Sequence, residues 1–287
     1  MKRQTGLDRD LLQRLGFSLM TLVAAVTVIP IIVVIGYIIA RGAPAVSWEF
    51  LTAMPRDGMR AGGILPAIIG TLYLTLGTAF FSVPLGIAAA IYLSEYAKEN
   101  WLTRLIRIAI INLAGIPSVV YGLFGLGLFV LFLKFGTSIL SASLTLSIMT
   151  LPVIISASEE ALRSVPQSFR TVSISLGGTQ WQTIRKIVLP QALPVIITGV
   201  ILGLERAAGE TAPILFTGAA FFLPRLPNSP LDATMALPYH LFVISTQVPG
   251  MPIQIQYGTA LVLIVFVLGM NLTATIIRSR ARAKRQW

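Results

Sequence analysis

Long apolar runs separated by basic, polar or proline-rich stretches dominate the chain. Six are distinguished, at about residues 17–40, 67–93, 105–133, 139–157, 195–216 and 257–277. Each approaches or exceeds the roughly 20 residues that carry a helix across a hydrocarbon core about 30 Å thick. The third run contains Pro117 and the fourth Pro152. A proline inside a membrane helix is tolerated where neighbours satisfy the freed carbonyl, so kinks rather than breaks are expected. Two connections are long. One, at about 158–194, carries many charges; the other, at about 217–256, contains Pro224, Pro227, Pro230, Pro238, Pro249 and Pro252. Within the latter, residues 235–245 are apolar but too few to span, which suggests a surface or re-entrant helix. The pattern predicts an all-α, polytopic membrane protein with six transmembrane helices. Residues 1–66 form a tail, the first helix and an external loop; 67–277 form a five-helix core; 278–287 form a basic tail.

Composition agrees. Apolar residues make up 55% and charged residues 11% of the 287, whereas a soluble surface needs roughly a quarter charged. The chain has no cysteine, which excludes disulfides, thiol catalysis and thiolate metal sites, and its single histidine, His240, excludes a His-rich one. The net charge of +11 would suggest nucleic acid in a soluble protein. Here it sorts by side. Sixteen of the 22 basic residues fall in the two tails and in the second and fourth loops, five fall on the opposite side, and Arg206 lies in an apolar run. The positive-inside rule then makes both termini cytoplasmic. The first apolar run, about 24 residues long, exceeds a signal-peptide core of about 7–15 and reads as an uncleaved anchor.

The stretch "GLERAAGETAPILF" (203–216) puts Glu205, Arg206 and Glu210 in the fifth apolar run, with Glu205 and Arg206 at its midpoint. A charge at the centre of a span costs about 2.5–3.5 kcal/mol on insertion scales, so these groups must face protein or water. Arg206 and Glu210 are four residues apart and share a helix face; Glu205 is turned about 100° away. A structural salt bridge between helices and a substrate pathway both fit. With two acids and one base, the cluster suits a cation or proton path as readily as an anion.

The cytoplasmic stretch "RTVSISLGGTQWQTIRKIVLPQALP" (170–194) reads as a helix broken at Gly177–Gly178, then a second helix that Pro190 and Pro194 end. Its apolar and basic faces suit a partner protein or the membrane surface. Gly177, followed after nine residues by Ile187, Leu189 and Pro190, resembles the "EAA" loop of permease subunits of ABC importers. The family's leading glutamate is replaced, since Thr171-Val172-Ser173 stands at the Glu-Ala-Ala position. "GIPSVVYGLFG" (115–125), "EEALRSVPQSFR" (159–170) and "RAAGETAPILFTG" (206–218) are similar to the PstA-type permease of phosphate-specific ABC transporters, a likeness that runs from about residue 67 to the end.

The resemblance implies the type I ABC importer permease (MetI-like) fold and a loop that docks on an ATP-binding subunit through Gly177, Gly178, Trp181, Ile187, Leu189 and Pro190. It implies phosphate passage at Arg206 and Glu210, to which Glu205 and the adjacent Thr211 hydroxyl are added from their position. It also implies a second, PstC-type permease, a PstB-type ATPase dimer and a PstS-type phosphate-binding protein as partners. No cofactor is expected in this chain; ATP and Mg belong to the ATPase, and no Gly-Lys dipeptide of a phosphate-cradling loop occurs. Two other readings remain, a permease for molybdate or sulfate and a secondary transporter driven by an ion gradient. A membrane enzyme lacks a catalytic set, because Asp232 and Glu49 stand alone in loops.

Overall fold

The computed structural model describes residues 6–283. The basic residues Lys2, Arg3, Lys284 and Arg285, which the charge count included, lie outside them. Five helical segments are long and apolar enough to cross a membrane: Leu12–Ala45, Leu65–Tyr96, Ile139–Arg163, Gln180–Gly209 and Ile253–Ile277. A bent pair, Trp101–Ala114 with Ser118–Phe132, supplies the sixth crossing if counted as one.

Helix α1 (Gly6–Gly42) is apolar from Leu15 on and, from Leu12 to Arg41, almost wholly exposed. It is held at its C-terminal end, where Tyr37 meets Tyr257 edge to face at 5.4 Å. There Gly42 also lets the backbone of Tyr257 approach so closely that an added Cβ would lie 2.7 Å from its carbonyl carbon. A short helix, α2 (Trp48–Thr52), follows, capped by the Ser47 hydroxyl, which accepts from Phe50 N. The two-residue strands β1 (Pro55–Arg56) and β2 (Ala61–Gly62) form the one hairpin among the described residues.

The centre of the molecule is α3 (Leu65–Ile91) packed along α6 (Ile139–Arg163), with α9 (Leu189–Gly209) against both. Small residues permit the approach: Gly77 lies on Ser143, Gly86 on Ile154 and Gly199 on Ala157. Thr71, Thr75, Thr78 and Ser82 are buried on α3, and each hydroxyl donates to the carbonyl four residues earlier. These four hydroxyls thus enter an apolar interface with their donors satisfied, whereas Ser143 Oγ, buried opposite Gly77, makes no hydrogen bond. Ser147 adds a bond across to Thr78 O at 3.1 Å. An outer core gathers Phe50, Leu74, Leu146, Met149, Met235 and Ile244; an inner one gathers Leu162, Val165, Val188 and Ile196.

Three expectations about where helices run and break require correction. The run at 105–133 is not one kinked helix. It divides into α4 (Trp101–Ala114) and α5 (Ser118–Gly125), the second continuing as a wide π-type turn over Leu126–Phe132, and the two halves meet at 101°. Pro117 has no N–H to continue α4 and biases Ile116 away from helical geometry, while the Tyr121 hydroxyl donates to Leu113 O at 2.7 Å and satisfies a carbonyl at the broken end. Pro152, by contrast, stays within a continuous α6.

Second, Pro190 and Pro194 do not end a helix. After α7 (Gln167–Ser175), α8 (Gln180–Thr183) passes through a π-type turn, Ile184–Val188, directly into α9. The widened turn accommodates the missing Pro190 donor. Third, the fifth span does not run over 195–216. The long helix ends at Gly209, Glu210 is extended (ψ 139°), and α10 (Ala212–Thr217) restarts the chain. Pro213 carries no N–H for Gly209 O, and its ring would clash there in a continuous helix.

The apolar segment at 235–245 forms α11 (Leu237–Thr246), which is buried against α3, α9, α10 and α12 (Ile253–Ala283) rather than lying on the surface. Leu237 N donates to Thr71 Oγ1 at 2.8 Å. Asp232 is not a free loop charge either: its carboxylate accepts from Asn228 N and Ser229 N and folds the loop before α11.

Candidate functional site

The charged cluster lies at the α9–α10 break. Arg206 occupies the last turn of α9 and Glu210 is its C-cap, so the charges sit at a helix end and not at the midpoint of a span. Arg206 Nε lies 3.5 Å from Glu210 Oε1, with side-chain exposures of 42% and 17%. The contact is single and long, without the parallel fork that guanidinium and carboxylate form when they lock together. A cation in the last turn also complements the partial negative charge of the helix C-terminus, which Glu210 opposes. Glu205 does not join the pair; its Oε1 is buried and makes no hydrogen bond. Thr211, half-buried, is the residue preceding α10, and its hydroxyl caps nothing.

The second broken helix reaches the same place. α5 packs on α10, with Gly122 facing Phe216 and Pro213. Tyr121, which is buried, lies within the electrostatic reach of Arg206. Two discontinuous helices therefore meet beside one exposed guanidinium, an arrangement that local sequence reading of either segment does not supply.

At the other end, the broken helix of the 170–194 stretch is present as α7 and α8. Gly177 takes φ +82°, a conformation that L side chains rarely adopt, and Gly178 N donates to Ser173 O at 3.0 Å to close α7. Thr179 and Gln182 form a reciprocal capping box that starts α8. Trp181 and Pro190 are exposed, Ile187 and Leu189 half-buried. Ile187 lines a groove of about 500 Å³ between α7 and α8 with Val172 and Leu176, and Leu189 packs on the inner core. Val172, Ile174 and Leu176, strongly exposed and apolar, extend the surface beyond the residues that the sequence motif marks.

Behind this surface lie two ionic clusters that sequence reading treated only as loop charge. Arg170 forks onto Glu95. Arg107 and Arg163 share Glu159 Oε1 at 3.0 and 2.9 Å, and Arg107 also donates to Leu93 O. Among the described residues no group of three or more His, Cys, Asp or Glu side chains is placed to hold a metal ion.

The sequence profile of the binding-protein-dependent transport system inner membrane components matches residues 82–284. The "Probable ABC transporter permease protein YqgI" of Bacillus subtilis is 33% identical over 93% of this chain and 95% of its own length. The "Phosphate transport system permease protein PstA 1" of Mycobacterium tuberculosis is 35% identical over 91% of this chain and 85% of its own. The fold is that of solved importer chains. A chain of a bacterial ABC transporter involved in the import of alginate superposes with a TM-score of 0.63 at 15% identity, covering 96% of this chain and 99% of that one. An inward-facing MetNI methionine ABC transporter chain superposes with a TM-score of 0.61 at 16% identity, covering 76% and 95%. The apolar spans, the broken helices and the family match together make this chain a multi-pass membrane protein of the family of binding-protein-dependent transport system inner membrane components, an ABC importer permease subunit that is not itself an enzyme.

Proposed function

We propose that the chain is the permease half of an importer that moves inorganic phosphate inward by alternating access. The observation that carries this reading is the Arg206 guanidinium, 42% exposed at a break between two helices and held by a single long contact to Glu210. The names of relatives from Mycobacterium tuberculosis and Xylella fastidiosa, both phosphate transport system permease proteins, point to the same cargo. Arg206 receives the anion with its unpaired terminal nitrogens. Glu210 holds the guanidinium when the path is empty and is displaced when the anion arrives. Thr211 offers a hydroxyl beside them. Glu205 stands apart from the pair, so displacing Glu210 leaves Arg206 as the group that meets the cargo.

In this reading both termini face the cytoplasm, and residues 67–277 form the transporting core. A PstC-type permease closes the passage, and a PstS-type binding protein delivers phosphate to the loops around α11. A PstB-type ATPase dimer, which binds ATP and Mg, docks on Gly177, Gly178, Trp181, Ile187, Leu189 and Pro190. The test is uptake of radiolabelled phosphate by vesicles that contain the co-purified complex, supplied with ATP and the binding protein. Uptake that needs ATP, survives an ionophore and is not outcompeted by molybdate or sulfate supports the reading. Uptake of either competitor in place of phosphate, or uptake driven by an ion gradient without the ATPase, would overturn it.

A further inference from the structure

Helix α7 has no buried residue. Phe169 packs at the edge of the inner core, but most of the helix faces outward, with Val172 and Ile174 exposed. Little apolar burial therefore fixes it to the membrane core. What does fix it is polar. Arg170 donates from Nε to Glu95 Oε2 at 3.0 Å and from Nη2 to Glu95 Oε1 at 2.6 Å. The same guanidinium donates to Val165 O at 2.8 Å and to Leu162 O at 2.9 Å, at the C-terminal end of α6. From α8, Gln180 Nε2 reaches Glu95 O at 2.6 Å. Side-chain exposure is 12% for Arg170 and 7% for Glu95.

Glu95 itself belongs to a π-type turn, Tyr92–Tyr96, at the end of α3. Single wide turns of this kind often mark functional positions because they rotate a side chain out of the helical register. A forked, charge-assisted pair removed from water is directional and resists shear in a way that a loose apolar contact does not. One guanidinium thus ties three elements: the outer loop helices, the end of α6 and the end of α3, the helix packed along the centre of the molecule.

We infer that Glu95 and Arg170 are positioning residues for transport. They hold α7 rigidly to α3 and α6, while α8 is continuous with α9, so that a displacement imposed on the loop from the cytoplasm moves all three spans together. The inference rests on the proposed reading of α7–α8 as the ATPase-docking surface. Without the pair, α7 swings on its own while α8 stays continuous with α9, and ATP hydrolysis runs without passage of the anion.

The chain has no cysteine, so labels can be placed at will. Spin labels at Tyr92→Cys and Ser175→Cys, both exposed positions and neither lining the α7–α8 groove, report the distance between the end of α3 and α7 in the assembled complex with and without ATP. The expected result is an unchanged distance on ATP binding in the otherwise native chain and a changed or broadened one in Glu95→Ala. Anion uptake per ATP hydrolysed should fall about tenfold in Glu95→Ala, with the complex intact, and by less in Arg170→Lys, which keeps the charge but loses the fork.

The inference is overturned if the distance behaves alike with and without the carboxylate. It is overturned equally if uptake and hydrolysis fall in parallel with loss of assembled complex, in both Glu95→Ala and Arg170→Lys. The distance readout needs no cargo. If the native complex fails to take up phosphate while the distances behave as expected, the cargo assignment fails and the coupling role stands.

Discussion

Replacing Arg206 by glutamine separates a structural salt bridge from a passage. The guanidinium is 42% exposed and meets Glu210 through one contact at 3.5 Å. An ion pair this open contributes about 0–1 kcal/mol to a fold. Arg206→Gln should therefore leave assembly and thermal stability nearly unchanged. Transport obeys a different magnitude. A hydrogen bond from a charged donor to an anion is worth about 1.5–3 kcal/mol, which corresponds to about 10- to 100-fold in uptake below saturation. The assay is the initial rate of radiolabelled phosphate uptake by vesicles, normalised to intact complex. Arg206→Lys should recover part of the rate, since it keeps the charge without the fork. Glu210→Gln removes the group that competes with the anion, so KM should fall together with the turnover rate, because release slows. Wild-type uptake by Arg206→Gln in an intact complex would refute the passage, and the pair would then be a helix-end salt bridge and nothing more.

Three further outcomes are expected. Gly122→Ala places a Cβ 2.8 Å from Phe216 Cδ2 and 3.0 Å from Pro213 Cα; prying α5 from α10 should cost about 1–3 kcal/mol and lower uptake more than yield, as read by thermal denaturation beside the transport assay. Leu176→Asp changes an 83% exposed side chain, so permease stability should move by less than about 0.5 kcal/mol, while co-purification of the ATPase drops by about tenfold or more if Leu176 anchors that interface. His240, 2% exposed in α11 and outside the long spans, is pushed down by burial from 6.5 to about 4. The unfolded chain thus takes up a proton before the folded one does. Stability contributed by the neutral imidazole is full above the unfolded value and is lost as pH falls towards about 4, by about 2 kcal/mol at pH 5. His240→Leu should flatten the decline in melting temperature between pH 7 and pH 5; an equal decline in both proteins would refute it.

Helices α1, α3, α6 and α12 are legible because apolar length is a local property, and their runs needed no knowledge of neighbours. The breaks were not legible for the opposite reason. Pro117 and Pro152 look alike in sequence, yet one divides a helix at 101° and the other sits inside a continuous one. The difference lies in what each proline meets: after Pro117, Gly122 and Gly125 seat α5 on α10 and α6. Pro190 likewise carries a local stop signal that the π-type turn at Ile184–Val188 cancels, and Pro194 sits inside the continuous α9. The Thr179–Gln182 capping box is a local signal and marks the start of α8 at sight. Glu95 and Arg170, 75 positions apart, leave none: each reads as one more charge beside an apolar run. Similarly, the i, i+4 spacing of Arg206 and Glu210 foretold their contact but not the helix end on which it sits.

That helix end bears on how many subunits the passage requires. In lipid, irregular backbone is tolerated only where protein or a hydrated cavity surrounds it. The α9–α10 break exposes such backbone, because Pro213 has no N–H to offer Gly209 O, and the partial negative charge at the end of α9 is concentrated there. Arg206 is thus held by the Glu210 carboxylate and lies beside the partial negative charge of its own helix end. An anion entering beside it must displace one carboxylate while the helix end still repels it. A single guanidinium so placed is a weak anion trap, which suits release but not capture. Capture then calls for donors beyond Arg206 on its open side, where Thr211, the residue after Glu210, offers a hydroxyl but no charge. Under the proposed function, a second permease with its own cation at the same opening would supply that deficit, and a motion that parts the two subunits would remove it. On this argument the affinity for phosphate belongs to the closed pair of permeases, and the chain alone, reconstituted without its partner, should bind the anion no better than Arg206→Gln does.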